Sequence, residues 1–229
     1  MKSGFISKAC IGFIFLYTAV ITVSQAQHLR TKEDYIGFTA SFGSSASTLT
    51  SSYAALNGMK LQLGGASAGL VWGKASIEAR LMAGYHFSTG NTPQTVDSYS
   101  AITEVRVYPL NLLMNRSLRV QPYVNAGVAA SNQKYYGFYA SDESQFSNYS
   151  VSVAPYVGSI LNYSARVGGG LQWVLRNDEN FVKLFAEVSY YAPLVQRTSV
   201  ELKGTTYSNQ LACEVGVSVG LNRVKSIFK

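Results

Sequence analysis

ASIEARLMAGYHFS, residues 75–88, alternates without a slip. Ala75, Ile77, Ala79, Leu81, Ala83, Tyr85 and Phe87 fall on one parity. Ser76, Glu78, Arg80, Met82, Gly84, His86 and Ser88 fall on the other. A period of two is a strand with two unlike faces. One face is apolar; the other sets Glu78 beside Arg80 in mid-strand. A soluble sheet would turn that polar face to water, and a membrane barrel would turn it to an enclosed interior.

Seven further segments share the pattern: YIGFTASFG, MKLQLGGASAGLVW, VDSYSAITEVRVY, RVQPYVNAGVAAS, YSARVGGGLQWVL, FVKLFAEVSYYA and QLACEVGVSVGLN. In the second of these the apolar parity runs through Leu61 and Leu63, then switches to Leu70 and Trp72. The switch at Gly64-Gly65 is read as a β-bulge. Connection lengths alternate. Gly73-Lys74, PLNLLMNRS and RNDEN are short, whereas 44–58, 89–95, 132–162 and 193–208 are long. Short turns on one side and long loops on the other describe an all-β, eight-stranded antiparallel up-and-down barrel in an outer membrane, with both termini periplasmic. The third long connection, rich in Tyr, is expected to continue the flanking strands as a hairpin or ordered loop.

The polar parity of all strands gathers Arg80, Arg106, Arg166 and Lys183 against Glu78, Glu104, Glu187 and Glu214. Four charges of each sign are what an enclosed interior demands, because unpaired buried charge is expensive. A hairpin register that pairs Ser88 with Val96 also pairs Glu78 with Arg106 and Arg80 with Glu104, and sets Tyr85 opposite Tyr99. Two cross-strand ion pairs are therefore expected inside the barrel. The apolar parity carries almost no charge, and its aromatics gather near strand ends. Trp72 and Trp173 lie toward the short turns; Tyr85, Phe87, Tyr99, Tyr163 and Tyr190 lie toward the long loops. Two such belts fit the interfacial girdles of a transmembrane barrel.

Residues 1–26 read as a signal peptide: Lys2 and Lys8 precede the apolar run Ile11–Val23, and Ser24-Gln25-Ala26 offers small residues at the cleavage positions. Residues 27–229 form the expected barrel domain, of a Gram-negative cell envelope. The formal charge of +7 falls to +5 without Lys2 and Lys8, and the basic residues are scattered, which excludes a nucleic-acid surface. Only 14% of residues are charged, against a usual value of about 25%, as suits a chain with little wetted surface.

Across about Tyr35 to Asn222 the chain resembles the eight-stranded outer-membrane barrels, such as the transmembrane domain of OmpA. In EVRVYPL, PYVNAGVAAS, RVGGGLQW and LFAEVSYYAP it is similar to the small PorT-like β-barrel proteins of Bacteroidetes. The first resemblance implies a membrane anchor; the second implies an accessory subunit of an export or surface-assembly machine.

The expected function is a non-enzymatic outer-membrane barrel whose exposed loops bind or adhere. Its expected partners are outer-membrane lipid and, through the loops, an envelope protein or surface ligand. A small-solute channel is the less favoured reading, since an eight-stranded interior is just wide enough for its own side chains. An acyl-transferase or hydrolase is raised by His86 with Ser88 and Asp97, yet no nucleophile elbow flanks them. No cofactor or metal is expected: His86 inside and Cys213 on the lipid face cannot make a site, and His28 lies at the mature N-terminus.

Overall fold

The computed structural model describes residues 34–52, 56–74, 76–89, 94–114, 118–137, 156–177 and 180–222. The expected leader, His28 and the middle of the third long connection (138–155) lie outside them. The strands are β1 (Tyr35–Thr50), β2 (Lys60–Gly73), β3 (Ile77–Ser88), β4 (Gln94–Val107), β5 (Val120–Gly137), β6 (Tyr156–Asn177), β7 (Asn180–Thr198), a two-residue β8 (Thr206–Tyr207) and β9 (Gln210–Asn222). One short helix, α1 (Pro109–Met114), joins β4 to β5. A 3-10 turn, Val200–Leu202, follows β7.

Every neighbouring pair is antiparallel, and β1 pairs with both β2 and β9. That closes an eight-stranded barrel, with β8 a short addition against the end of β1. Closure leaves none of the eight wall strands as an edge, so the ladder pairs the backbone around the described wall. The strands are longer than their alternating patterns indicate. β1 runs to Thr50 rather than Gly43, β7 runs to Thr198, and β5 and β6 stay paired as far as Tyr136 and Tyr156. Backbone groups past the apolar band still need partners, and the ladder supplies them.

Gly64-Gly65 is not a bulge. The β1–β2 register runs unbroken from Thr48↔Lys60 to Tyr35↔Gly73, and β2–β3 is equally regular. Leu61 and Leu63 point inward on the same parity as Ser67 and Val71, while Leu70 and Trp72 point out. The pattern switches because the lumen changes from polar to apolar along its axis. The register shifts fall elsewhere, at Tyr135/Tyr136 on β5–β6 and at Tyr163/Ser164 and Val174/Arg176 on β6–β7.

The outer wall is apolar. Phe38, Phe42, Leu81, Val105, Val124, Val128, Val167, Val188 and Val215 are all exposed, alternating with buried Thr39, Ser41, Arg80, Glu104, Arg106, Asn125, Arg166 and Glu187. A charged inside and a hydrocarbon-like outside invert the soluble arrangement. Such a wall is stable only against lipid.

Candidate functional site: the closed lumen

The β3–β4 ladder places Glu78 opposite Arg106, Arg80 opposite Glu104 and Tyr85 opposite Tyr99. All eight inward charges meet in one mesh at mid-barrel. Glu104 is central on one side, accepting from Arg80 Nη1 at 3.1 Å and Arg106 Nε at 3.0 Å through Oε1, and facing Arg166 Nη1 at 3.3 Å through Oε2. Glu187, on β7, takes Arg106 on one oxygen and Arg166 on the other. Its carboxylate also accepts from the Tyr123 hydroxyl (2.7 Å), Asn125 Nδ2 (3.0 Å) and Ser189 Oγ (2.9 Å). Glu214 accepts from Ser41 Oγ at 3.2 Å and lies 3.2 Å from Arg166 Nη2.

The two cross-strand ion pairs, Arg80–Glu104 and Glu78–Arg106, are part of this wider mesh rather than isolated contacts. Arg80–Glu104 is a hydrogen-bonded pair, but Glu78 Oε1 lies 3.8 Å from Arg106 Nη1, beyond hydrogen-bond reach. Arg106 turns instead to Glu104 on its own strand and to Glu187 across the lumen. Glu78 is held by the Tyr35 hydroxyl at 2.6 Å, with the Tyr108 hydroxyl at 3.2 Å and Lys183 Nζ at 3.4 Å. The register places residues opposite one another, but in so narrow a barrel facing strands are as near as adjacent ones.

Aromatic rings fill the gaps between the charges. Phe185 lies 4.4 Å from both the Arg80 and Arg106 guanidinium carbons, Tyr123 lies 4.3 Å from that of Arg106, and Lys183 Nζ sits 3.7 Å above Tyr35. These contacts offset desolvation that carboxylates alone would not. The alternation missed Phe185, Phe181, Tyr35 and Tyr108 as lumen residues. A signal was present: Phe181 and Phe185 share the parity of Lys183 and Glu187. Gly37 and Gly216 face these rings from β1 and β9, where a Cβ would overlap them.

Toward the long-loop end the lumen changes character. A cavity of about 50 Å³ is lined by Ser98, Ser100, Ser131, Gln133, His86 and Glu214, among others. Leu63, Ile102, Ala129 and Ala212 share the lining with these polar groups, and the size with several polar partners suits a few waters. Above it, Leu49, Leu56, Leu61, Leu63, Val96, Tyr135, Ile160, Leu202 and Tyr207 form an apolar cork. Two of these come from connections that fold into the mouth: Leu56 before β2, and Leu202 in the 3-10 turn. The Tyr135 and Tyr207 hydroxyls hydrogen-bond within the cork. Burial pushes the Tyr207 phenol well above its ordinary pKa, and the Tyr135 hydroxyl beside it adds to the shift.

His86, Ser88 and Asp97 do not converge. His86 lines the cavity, Ser88 Oγ accepts from the Val96 N–H at 3.1 Å, and Asp97 accepts from the Tyr85 hydroxyl on the outer wall. A nucleophile, base and orienter would need to touch. The seven girdle aromatics, Trp72, Trp173, Tyr85, Phe87, Tyr99, Tyr163 and Tyr190, all stand exposed on the wall, with Tyr85 and Tyr99 at 5.3 Å between ring centroids. Cys213 is exposed on the same wall.

The fold and lumen define an eight-stranded membrane β-barrel of the outer-membrane type. No family model matches the chain, and no curated protein matches it. Among solved structures it is similar to neisserial surface protein A (13% identity, covering 82% of this chain and 97% of that one, TM-score 0.48). It is also similar to the N-terminal barrel domain of OprF from Pseudomonas aeruginosa (14%, 84% and 100%, TM-score 0.44). A third is the outer-membrane protein OprG of the same organism (10%, 85% and 97%, TM-score 0.41).

Proposed function

We propose that this protein is a non-enzymatic anchor in the outer membrane of a Gram-negative envelope, with its long-loop end at the cell surface for binding or adhesion. Residues 1–26 serve as the export leader, and both ends of the mature chain lie in the periplasm. The observation that carries the reading is the doubly closed lumen. A neutral mesh of eight charges fills its middle and an apolar cork fills its mouth, so the barrel holds its loops in place and passes nothing. The connection after β7 supports a binding role, since it seats Leu202 in the cork and presents Val200, Glu201 and Lys203 to solvent.

Three measurements test this. The protein in a planar bilayer should show no steady conductance; sustained large openings would overturn the anchor reading in favour of a channel. Trypsin added to intact cells should cut after Lys203 and spare Lys74 on the opposite rim, whereas cleavage at Lys74 alone would reverse the orientation. Immobilised protein should retain an envelope component from a detergent extract, and Val200→Ser with Lys203→Glu should weaken that capture. Equal capture by the variant would remove this connection from the binding role.

A further inference from the structure

Three short connections lie at the end of the barrel opposite the cork, and one has the wrong chemistry for a turn in water. Gly73-Lys74 is polar, with Lys74 Nζ 3.4 Å from Asp34. RNDEN is polar in sequence. PLNLLM, by contrast, forms α1, and it inverts the usual distribution of a surface helix. Its one polar side chain, Asn111, is buried and accepts from the Leu118 N–H at 3.3 Å. Leu112, Leu113 and Met114 are exposed, Leu113 by 81%. Pro109 opens the helix at the first position, where its missing N–H costs nothing.

The apolar wall continues to the foot of this helix. Val105 is exposed near the end of β4, and Val120 at the start of β5 pairs with exposed Trp173. Leu175 follows Trp173 on the same outward parity. The Val174 N–H donates to the Arg119 carbonyl at 2.8 Å, carrying the β5–β6 ladder down to the segment that leaves α1. A strip of lipid-type surface thus runs from the wall to the helix, with an indole at its margin. A helix with one apolar face at such a margin has the features of an interfacial anchor.

We propose that α1 lies in the headgroup–acyl boundary of the leaflet at the short-turn end, with Leu112, Leu113 and Met114 inserted among phospholipid chains. The occupant of this apolar face is lipid, because the face is continuous with a wall that lipid already covers. The inference rests on the membrane-barrel reading, and its test separates the two.

Nitroxide labels at Leu113→Cys, Val124→Cys and Lys74→Cys, each in a background with Cys10→Ala and Cys213→Ala, would be compared in phosphatidylcholine vesicles. Collision with oxygen reports lipid, and collision with a water-soluble nickel chelate reports solvent. The Leu113 label should favour oxygen as the Val124 label on the wall does, and the Lys74 label should favour nickel. A nickel-accessible Leu113 beside an oxygen-accessible Val124 overturns the inference and leaves the barrel reading standing; that face would then be open to a protein. A nickel-accessible Val124 would sink the membrane reading itself. Heat-shifted gel mobility checks folding of each variant, and Leu112→Cys replaces Leu113→Cys if the latter does not fold.

Discussion

Glu187 and Glu214 both face Arg166, yet they hold unequal places in the mesh. Glu187 receives two guanidiniums and three neutral donors, and its side chain has no exposure. Glu214 faces one guanidinium and is partly reached by solvent, at 9%. Removing a partner from a buried ion pair costs about 3–5 kcal/mol because the mate is left uncompensated. Glu187→Ala should approach that cost, since it leaves Arg106 with Glu104 and a Glu78 oxygen 3.8 Å away, and Arg166 with Glu104 and the partly wetted Glu214; Glu214→Ala should fall well short of it. Urea midpoints followed by heat-shifted gel mobility would rank them; a Glu214→Ala loss equal to that of Glu187→Ala would mean that the mesh is evenly wetted. Parity alone put all eight charges on one face, because a period of two assigns faces. It could not assign partners such as Glu187 for Arg106, which lie three strands apart along the barrel wall and meet only across the lumen.

Elements carry the same lesson differently. Strand order, alternating connections and the β3–β4 register were legible because each depends on local periodicity. The Gly64-Gly65 reading failed because it took the apolar face to be the outer face along the whole strand. Leu61 and Leu63 belong to the cork, which is assembled from β1, β2, β4, β5, β6, β8 and two loops; no local pattern marks them as inward. The cork has a consequence for access. Leu61 is 1% exposed and fully packed, so Leu61→Ala with Leu202→Ala should leave a gap large enough for water above the polar cavity. A cysteine at Ser98, in that cavity's lining, should react slowly with a polar thiol reagent supplied from the long-loop side. Reaction should quicken at least tenfold in the double alanine background, with Cys213 replaced by alanine to silence the wall. Fast reaction with the cork intact would show that the cavity is already open to that side.

At the scale of the molecule, the two seals stand in series, and each is built from a different physics. The mesh should exclude ions because opening it would separate buried, paired charges, and its four positive and four negative residues leave no net field to draw ions in. The cork should exclude them because an apolar constriction does not wet. Closure should therefore survive the loss of either seal. The cork variant Leu61→Ala with Leu202→Ala should stay silent in a planar bilayer. So should Arg166→Ala with Glu187→Ala, which removes one charge of each sign and keeps the lumen neutral. Combining all four changes should give small, steady openings, because water would then run from the mouth through the cavity and past the thinned mesh. Conductance from the cork variant alone, equal to that of the combination, would show that the mesh is permeable to ions. The barrel would then owe its silence to the cork, and movement of the two inturned loops would suffice to open it.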